Sequence, residues 1–309
     1  MSVSEPQFLD QGIAKCKWIW QTKEKSALPY QYQIMSNQTI CFIGGGNMAR
    51  SLMGGLIADG MKPQFITVSE PDVARREDLT NHFGITVLSD NVAAVKGSEI
   101  VIFAVKPQVM KAAVLPLAEG LCEKKHLLIS IAAGISISSL ESWAGDDLAI
   151  VRAMPNTPAL INTGITALFA NSRVSLEQRN QAESIMCAVG KVVWIKEETL
   201  MDTVTAVSGT GPAYFFYFME ALEQAAIEEG LDENTARLLT LETALGAARL
   251  AIETTKSPSE LRGQVTSPGG TTEAAIQVLE QVGMSQILKT AVTAARKRSA
   301  DLANSSGID

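Results

Sequence analysis

The 309 residues include only two histidines and four cysteines, and basic side chains are outnumbered 26 to 33 by acidic ones. Each shortage excludes something. Cys16, Cys41, Cys122 and Cys187 lie too far apart for a CxxC or zinc-ligand pattern, so no metal site is expected and reduced thiols are the default reading. His82 and His126 fall at a helix end and a strand beginning, away from any Ser or Asp pattern of a hydrolytic triad, and read as surface or packing residues. The net charge of −7 opposes nucleic acid and anionic membrane as partners, because those surfaces attract clustered Lys and Arg. No apolar run approaches the roughly 18 residues of a spanning helix. With 46% hydrophobic and 19% charged residues, collagen, disorder and disulfide scaffolds are also excluded. A soluble globular protein of one large or two ordinary domains remains.

Residues 1–36 hold two of the four tryptophans, Trp18 and Trp20, without a sustained period. They lack a signal peptide's continuous apolar core and read as an extension of uncertain origin. From Thr39 onward the chain alternates short β-branched runs with helical stretches. Strands are expected at Thr39–Ile43, Phe65–Val68, Ile85–Leu88, Glu99–Val105, His126–Ile131, Leu148–Val151, Gly164–Phe169 and Lys191–Ile195. Helices are expected over Asn47–Asp59 and Leu176–Val189, with others starting near Pro71, Asp90 and Pro107. Near-continuous apolar strands between helices mean a parallel sheet covered on both faces. The fold class expected is α/β, a Rossmann-type doubly wound parallel sheet over residues 37–197. The strand signal then stops, and residues 198–309 read as an all-helical domain, with helices over 213–229, 233–254, 273–281 and 284–303. The stretch Ala244–Ala251, dense in Ala and Gly, offers little side-chain volume to an independent core, so interlocking helices of a homodimer would supply the missing burial. Ordinary packing within one chain is the plainer alternative.

Five strand ends and two helix starts carry the chemistry. Phe42-Ile-Gly-Gly-Gly-Asn-Met-Ala49 is the G-x-G-x-x-A form of the dinucleotide fingerprint at a strand-to-helix junction, where backbone must approach a pyrophosphate. At the end of the second strand Ser69 occupies the position that meets the cofactor ribose. A hydroxyl tolerates a 2′-phosphate that a carboxylate would repel, which favours NADPH over NADH, unless the strand ends one residue later and presents Glu70. Lys106, in Phe103-Ala-Val-Lys-Pro-Gln108, stands at the carboxyl edge where open α/β sheets bind ligands. Ile131-Ala-Ala-Gly134 leaves room for a nicotinamide ring, and Arg152-Ala-Met-Pro-Asn-Thr-Pro158 forms a rigid loop beside the same crevice. Val265-Thr-Ser-Pro-Gly-Gly-Thr-Thr272 precedes a helix, whose free N–H groups attract a small anion. That suits the carboxylate of an amino or imino acid, with a hydroxyl of Thr271 or Thr272 meeting its nitrogen, although an ordinary capped helix would look alike. Ser208-Gly-Thr-Gly-Pro-Ala-Tyr214 is a second glycine-rich helix entrance.

In order and spacing these blocks resemble those of the pyrroline-5-carboxylate reductases, from about Met35 to the C-terminus. The resemblance implies NAD(P)H-dependent reduction of 1-pyrroline-5-carboxylate to L-proline, the final step of proline synthesis, while the reading of the cysteines as reduced thiols points to the cytoplasm. It implies cofactor contacts at Gly44, Gly45, Gly46, Asn47, Met48, Ala49, Ser69, Pro71, Asn91, Ala104, Val105, Lys106, Pro107 and Ala133. It further implies a substrate carboxylate on the backbone of Ser267, Gly269, Gly270 and Thr271, the catalytic hydroxyl of Thr272 on the ring nitrogen, and Glu198 as a further substrate-site carboxylate. A homodimer through the helical domain, assembled further into a decamer, is implied as well. Gln264 and Glu70 depart from some relatives, and the departures bear on cofactor preference. A hydroxyacid or ketoacid reductase of related architecture, or a redox regulator that binds NADP without turnover, are the competing readings.

Overall fold

The structure, a computed structural model, describes residues 38–123 and 126–306. The expected 1–36 extension lies outside the described residues.

Eight strands form one sheet in the order β3-β2-β1-β4-β5-β6-β7-β8. They are β1 Ile40–Ile43, β2 Ile66–Ser69, β3 Thr86–Leu88, β4 Ile100–Phe103, β5 Leu127–Ser130, β6 Ala149–Met154, β7 Gly164–Ala170 and β8 Gly190–Trp194. Between them run α1 Asn47–Ala58, α2 Val73–Phe83, α3 Asn91–Val95, α4 Pro107–Val114, α5 Ala118–Glu123, α6 Ile137–Ala144 and α7 Leu176–Cys187. In β1, β4 and β5 every residue is buried, because helices cover both faces of the sheet. Successive side chains therefore feed two different cores. Phe42, Ile66 and Ile102 join Leu52 and Met53 of α1 on one face. Ile43 and Phe103 join Met110, Leu121 and Trp143 on the other.

The sheet departs from the parallel expectation at one end: β7 runs antiparallel to β6, and β8 pairs parallel with β7. A parallel neighbour needs a crossover of a dozen or more residues. The β6–β7 link instead holds a short 3-10 turn, Thr157–Ile161, closed by Asn162 at a φ of 58°, so the chain reverses. The outer edge strand β8 exposes Lys191, and its Trp194 donates its indole N–H to Glu183 while Arg179 stacks 3.7 Å above the ring. Among the cysteines, Cys41 and Cys122 are free, whereas Cys187 is disulfide-bonded. At Cys187 this departs from the expected reduced thiol.

The later helices are α8 Met201–Val204, α9 Gly211–Glu228, α10 Glu233–Glu253, α11 Pro258–Gln264, α12 Thr271–Gln281 and α13 Met284–Ser306, with a π-helical turn at Thr205–Gly209. Two compact units result: Thr210–Ala295 forms one, and the sheet with the end of α13 from Arg296 forms the other. Within the sheet unit, Ser299 of α13 donates to Asp202 of α8 at 2.7 Å. Within the helical unit, α9 packs on α10 and buries Ala236 and Thr240. The sequence expectation missed α5, α6, α8 and α11. The last carries a legible start, Ser257-Pro258 with Glu260 closing a capping box.

Candidate cofactor and substrate sites

The glycine turn between β1 and α1 is held at both sides by its neighbours. Gly44 N–H donates to the Ser69 carbonyl at 2.8 Å, and Ala104 N–H donates to the Ile43 carbonyl at 2.9 Å. Gly44 has a φ of +100°, and a Cβ there would lie 2.9 Å from the Ala104 carbonyl oxygen, so only glycine closes this turn. Gly46 is different: a Cβ there would meet nothing within 4 Å. The space above it is open, and the first turn of α1 has no side-chain cap, leaving its N–H groups for an anion. Asn47 is exposed and Met48 half-buried on that turn, while Ala49 is buried. A backbone cradle with room over the third glycine fits a dinucleotide pyrophosphate.

The remaining cofactor candidates gather at the same carboxyl edge. Ser69 ends β2 at 1% exposure, and its hydroxyl donates to Asn91 Oδ1 at 2.6 Å. Asn91 opens α3 and directs its amide toward the Ala113 carbonyl at 3.5 Å. Ala104 and Val105 are half-buried after β4, Lys106 is the exposed N-cap of α4, and Pro107 is its first residue. Ala133 lies half-buried in the turn after β5, and Pro71 is exposed. The carboxylate nearest the glycine turn belongs to Glu70, which accepts the Gly45 N–H at 2.9 Å. The sequence had kept this residue only as an alternative to Ser69.

Glu198 begins a short 3-10 turn before α8. Its Oε1 accepts from Arg152 Nη1 at 2.6 Å and from the Ile137 N–H at 2.8 Å, which ties the end of β6 to the start of α6. Arg152 was read only as part of a loop; its side chain is 9% exposed, and a buried guanidinium needs such a partner. Two sequence blocks also meet here, since Asn156 donates to the Ser208 hydroxyl at 3.4 Å.

Glu198 belongs to the sheet unit, whereas the other substrate candidates lie in the helical unit. Gly269 has a φ of +71°, Gly270 is the N-cap of α12 with no side-chain cap, and its N–H closes a turn on the Ser267 carbonyl at 3.0 Å. Ser267 and Thr271 are exposed and Thr272 half-buried. Glu273 of the first turn accepts the Gly269 N–H at 2.7 Å, so two loop N–H groups are engaged within the loop itself. The first turn of α12 thus forms an anion-attracting end, with the Thr271 and Thr272 hydroxyls beside it. Among the described residues, no group of three or more His, Cys, Asp or Glu could hold a metal, and no helix is long and apolar enough to cross a membrane.

Residues 198–302 match a family model described as pyrroline-5-carboxylate reductase dimerisation, and residues 39–134 match one described as NADP oxidoreductase coenzyme F420-dependent. The chain is 47% identical over 273 residues to a pyrroline-5-carboxylate reductase of Pseudomonas aeruginosa, covering 88% of this chain and 100% of that one. Its fold is similar to a pyrroline-5-carboxylate reductase structure from Coxiella burnetii at a TM-score of 0.82 and 46% identity, covering 86% of this chain and 98% of that one. It is also similar to the pyrroline carboxylate reductase of Plasmodium falciparum with NADP bound, at a TM-score of 0.78 and 29% identity, covering 87% and 99%.

Proposed function

The chain belongs to the pyrroline-5-carboxylate reductase family, and from that premise we propose how its own residues divide the work. The protein is an NAD(P)H-dependent oxidoreductase acting on a CH–NH group, reducing 1-pyrroline-5-carboxylate to L-proline in the last step of proline biosynthesis. It forms a homo-oligomer. The observation that supports its local chemistry best is the open, uncapped glycine turn at Gly46.

Residues 37–197 form the cofactor domain in this reading, and residues 198–309 the substrate and dimerisation domain. Gly44 to Ala49 seat the pyrophosphate. Ala104 to Pro107 and Ala133 border the rest of the cofactor, while Pro71 and the bonded pair Ser69–Asn91 wall its adenosine end. Bound NAD(P)H supplies the hydride. The substrate carboxylate rests on the α12 entrance formed by Ser267, Gly269, Gly270 and Thr271, displacing Glu273 from the Gly269 N–H. The hydroxyl of Thr272 meets the ring nitrogen. Once the imine carbon accepts hydride, the C=N pair of electrons collapses onto that nitrogen, and the Thr272 contact strengthens as the amine forms. A protonated imine is already electrophilic, so orientation supplies most of the catalysis and a strong side-chain acid is not required. A homodimer through the helical unit, gathered into decamers, and a cytoplasmic site of action complete the proposal.

Thr272→Ala tests it. kcat/KM for the cyclic imine is expected to fall roughly tenfold to a hundredfold, about 1.4 to 2.7 kcal/mol of transition-state stabilisation, with cofactor affinity unchanged. Wild-type turnover in a variant with a lowered Tm would mean that Thr272 only supports the helix start. NADPH oxidation with keto acids but not with the cyclic imine would overturn the substrate class itself.

A further inference from the structure

The turn after β5, Ala132-Ala133-Gly134, is made of residues too small to hold themselves in place. Ala132 is buried, Ala133 is half-buried, and Gly134 turns the chain at a φ of +73°. Short side chains leave room for a planar ring but offer few contacts that would fix the backbone around it. Two other elements supply those contacts. From one side comes the end of α13: a Cβ at Gly134 would lie 3.4 Å from the Ala303 nitrogen, 3.5 Å from Leu302 Cβ and 3.6 Å from the Ser299 carbonyl oxygen. The helix end thus lies one methyl's width from the glycine. On the other side the turn runs into α6, whose Ile137 N–H is an orphan donor of the helix start. It donates to Glu198 Oε1 at 2.8 Å.

Both sides are anchored to one short segment. Glu198, fixed by Arg152 at 2.6 Å, holds the α6 start, and Asp202 of α8 accepts the Ser299 hydroxyl at 2.7 Å. A serine inside a helix can satisfy its hydroxyl on its own backbone. Ser299, 5% exposed, reaches instead to a carboxylate 97 positions earlier in the chain. A hydrogen bond to an ionised acceptor is among the stronger ones, and it fixes the helix end in rotation as well as in distance. We propose that Ser299 and Asp202 are positioning residues for hydride transfer. Their bond holds the end of α13 against Gly134, and the Ala132–Gly134 turn keeps its place as the wall behind the nicotinamide. Their effect passes through the turn, not through contact with the substrate. Hydride transfer is steep in geometry, and a misplacement of about 1 Å can cost about a hundredfold. Such a strut acts on rate more than on affinity.

This rests on the reading of that turn as a border of the cofactor, and two sets of variants separate the claims. Single-turnover NADPH oxidation is measured beside the dissociation constants, without substrate, of NADPH and of 2′,5′-ADP, which lacks the nicotinamide. Ser299→Ala is expected to slow hydride transfer about tenfold, to weaken NADPH no more than about threefold and to leave 2′,5′-ADP within about twofold. Deuterium at the transferred position of NADPH should then give a larger isotope effect on kcat than in wild type. Because the two residues act as one bond, Ser299→Ala with Asp202→Ala should be no slower than Ser299→Ala alone; additive losses would overturn the pair. Wild-type hydride transfer in a Ser299→Ala protein of lowered Tm would make the bond a matter of stability only and overturn the proposal, as would equal weakening of NADPH and 2′,5′-ADP. Should Ser299→Ala not fold, Asp202→Asn keeps the shape and the acceptor but drops the charge; it should slow transfer about threefold, and an unchanged rate overturns the strut. Ala133→Leu tests the premise: it should weaken NADPH at least about tenfold and spare 2′,5′-ADP. Unaltered NADPH binding there would place the nicotinamide elsewhere and overturn the reading of the turn itself.

Discussion

The sheet unit and the helical unit solve the problem of burial in opposite ways. The sheet buries large side chains on both faces, with Phe42 on one and Phe103 on the other both inaccessible to water. Neither buried cluster includes a residue of Thr210–Ala295. There Phe215, Phe216, Tyr217 and Phe218 run consecutively along α9 with the largest exposure, 73%, at Tyr217. On α10, Leu238, Leu239, Leu245 and Leu250 are exposed too. A soluble chain rarely leaves so much contiguous apolar surface uncovered. The comparison teaches that the first unit is complete in one chain and the second is built to be completed by another, in keeping with its match to a dimerisation model.

The contrast can be broken most forcefully inside the sheet. Phe103→Ala should cost about 3–5 kcal/mol through the cavity it opens, read as a lowered denaturation midpoint that does not depend on protein concentration. The helical unit should respond in the other currency. Leu238→Asp together with Leu245→Asp should weaken self-association by at least about a hundredfold, roughly 2.7 kcal/mol. Sedimentation should show the monomer at micromolar concentration, and a stable oligomer would mean that those leucines face something other than a partner. Gly46→Val sharpens the comparison from the functional side: a branch in open space should leave the melting point of the sheet unit nearly unchanged and yet weaken NADPH binding at least about tenfold. Unaltered cofactor affinity would relocate the pyrophosphate.

The smallest effect is chemical. Burial pushes the Cys41 thiol up to about 12 from its ordinary 9.0. The folded form holds its proton more tightly than the unfolded chain. This contribution to stability is therefore complete below about pH 9 and lost as pH rises toward 12. Cys41→Ala should flatten that alkaline loss. Thiol labelling at pH 8 should modify exposed Cys122 and spare Cys41 until unfolding.

Much of the sheet was legible because parallel strands buried on both faces announce themselves as unbroken apolar runs, as in Ile100-Val-Ile-Phe103. Strand direction was not: nothing in Gly164–Ala170 states that it runs backwards, since direction follows from the short link before it. The glycine turn was legible from residue types alone. Which side chain faces it was not, because neighbours on a strand point to opposite sides and a shift of one residue exchanges Ser69 for Glu70. The Arg152–Glu198 pair was hidden for a different reason, its partners lying 46 positions apart in sequence. Short helices such as α5 and α6 carry too few residues for a period to show.

An open sheet ends in two strands with unpaired backbone, and each such edge is a template on which another chain can grow. One edge here, β3, is only three residues long. The other, β8, is longer, and it carries exposed Lys191 together with an indole that is occupied by Glu183 and roofed by Arg179. A protein that must present a sticky helical face to find its own copy cannot tolerate a second adhesive surface. The guarded edges direct association to the helices and away from strand-on-strand polymerisation, so loss of the Arg179–Trp194–Glu183 cluster would appear as turbidity on storage long before it appeared as lost activity.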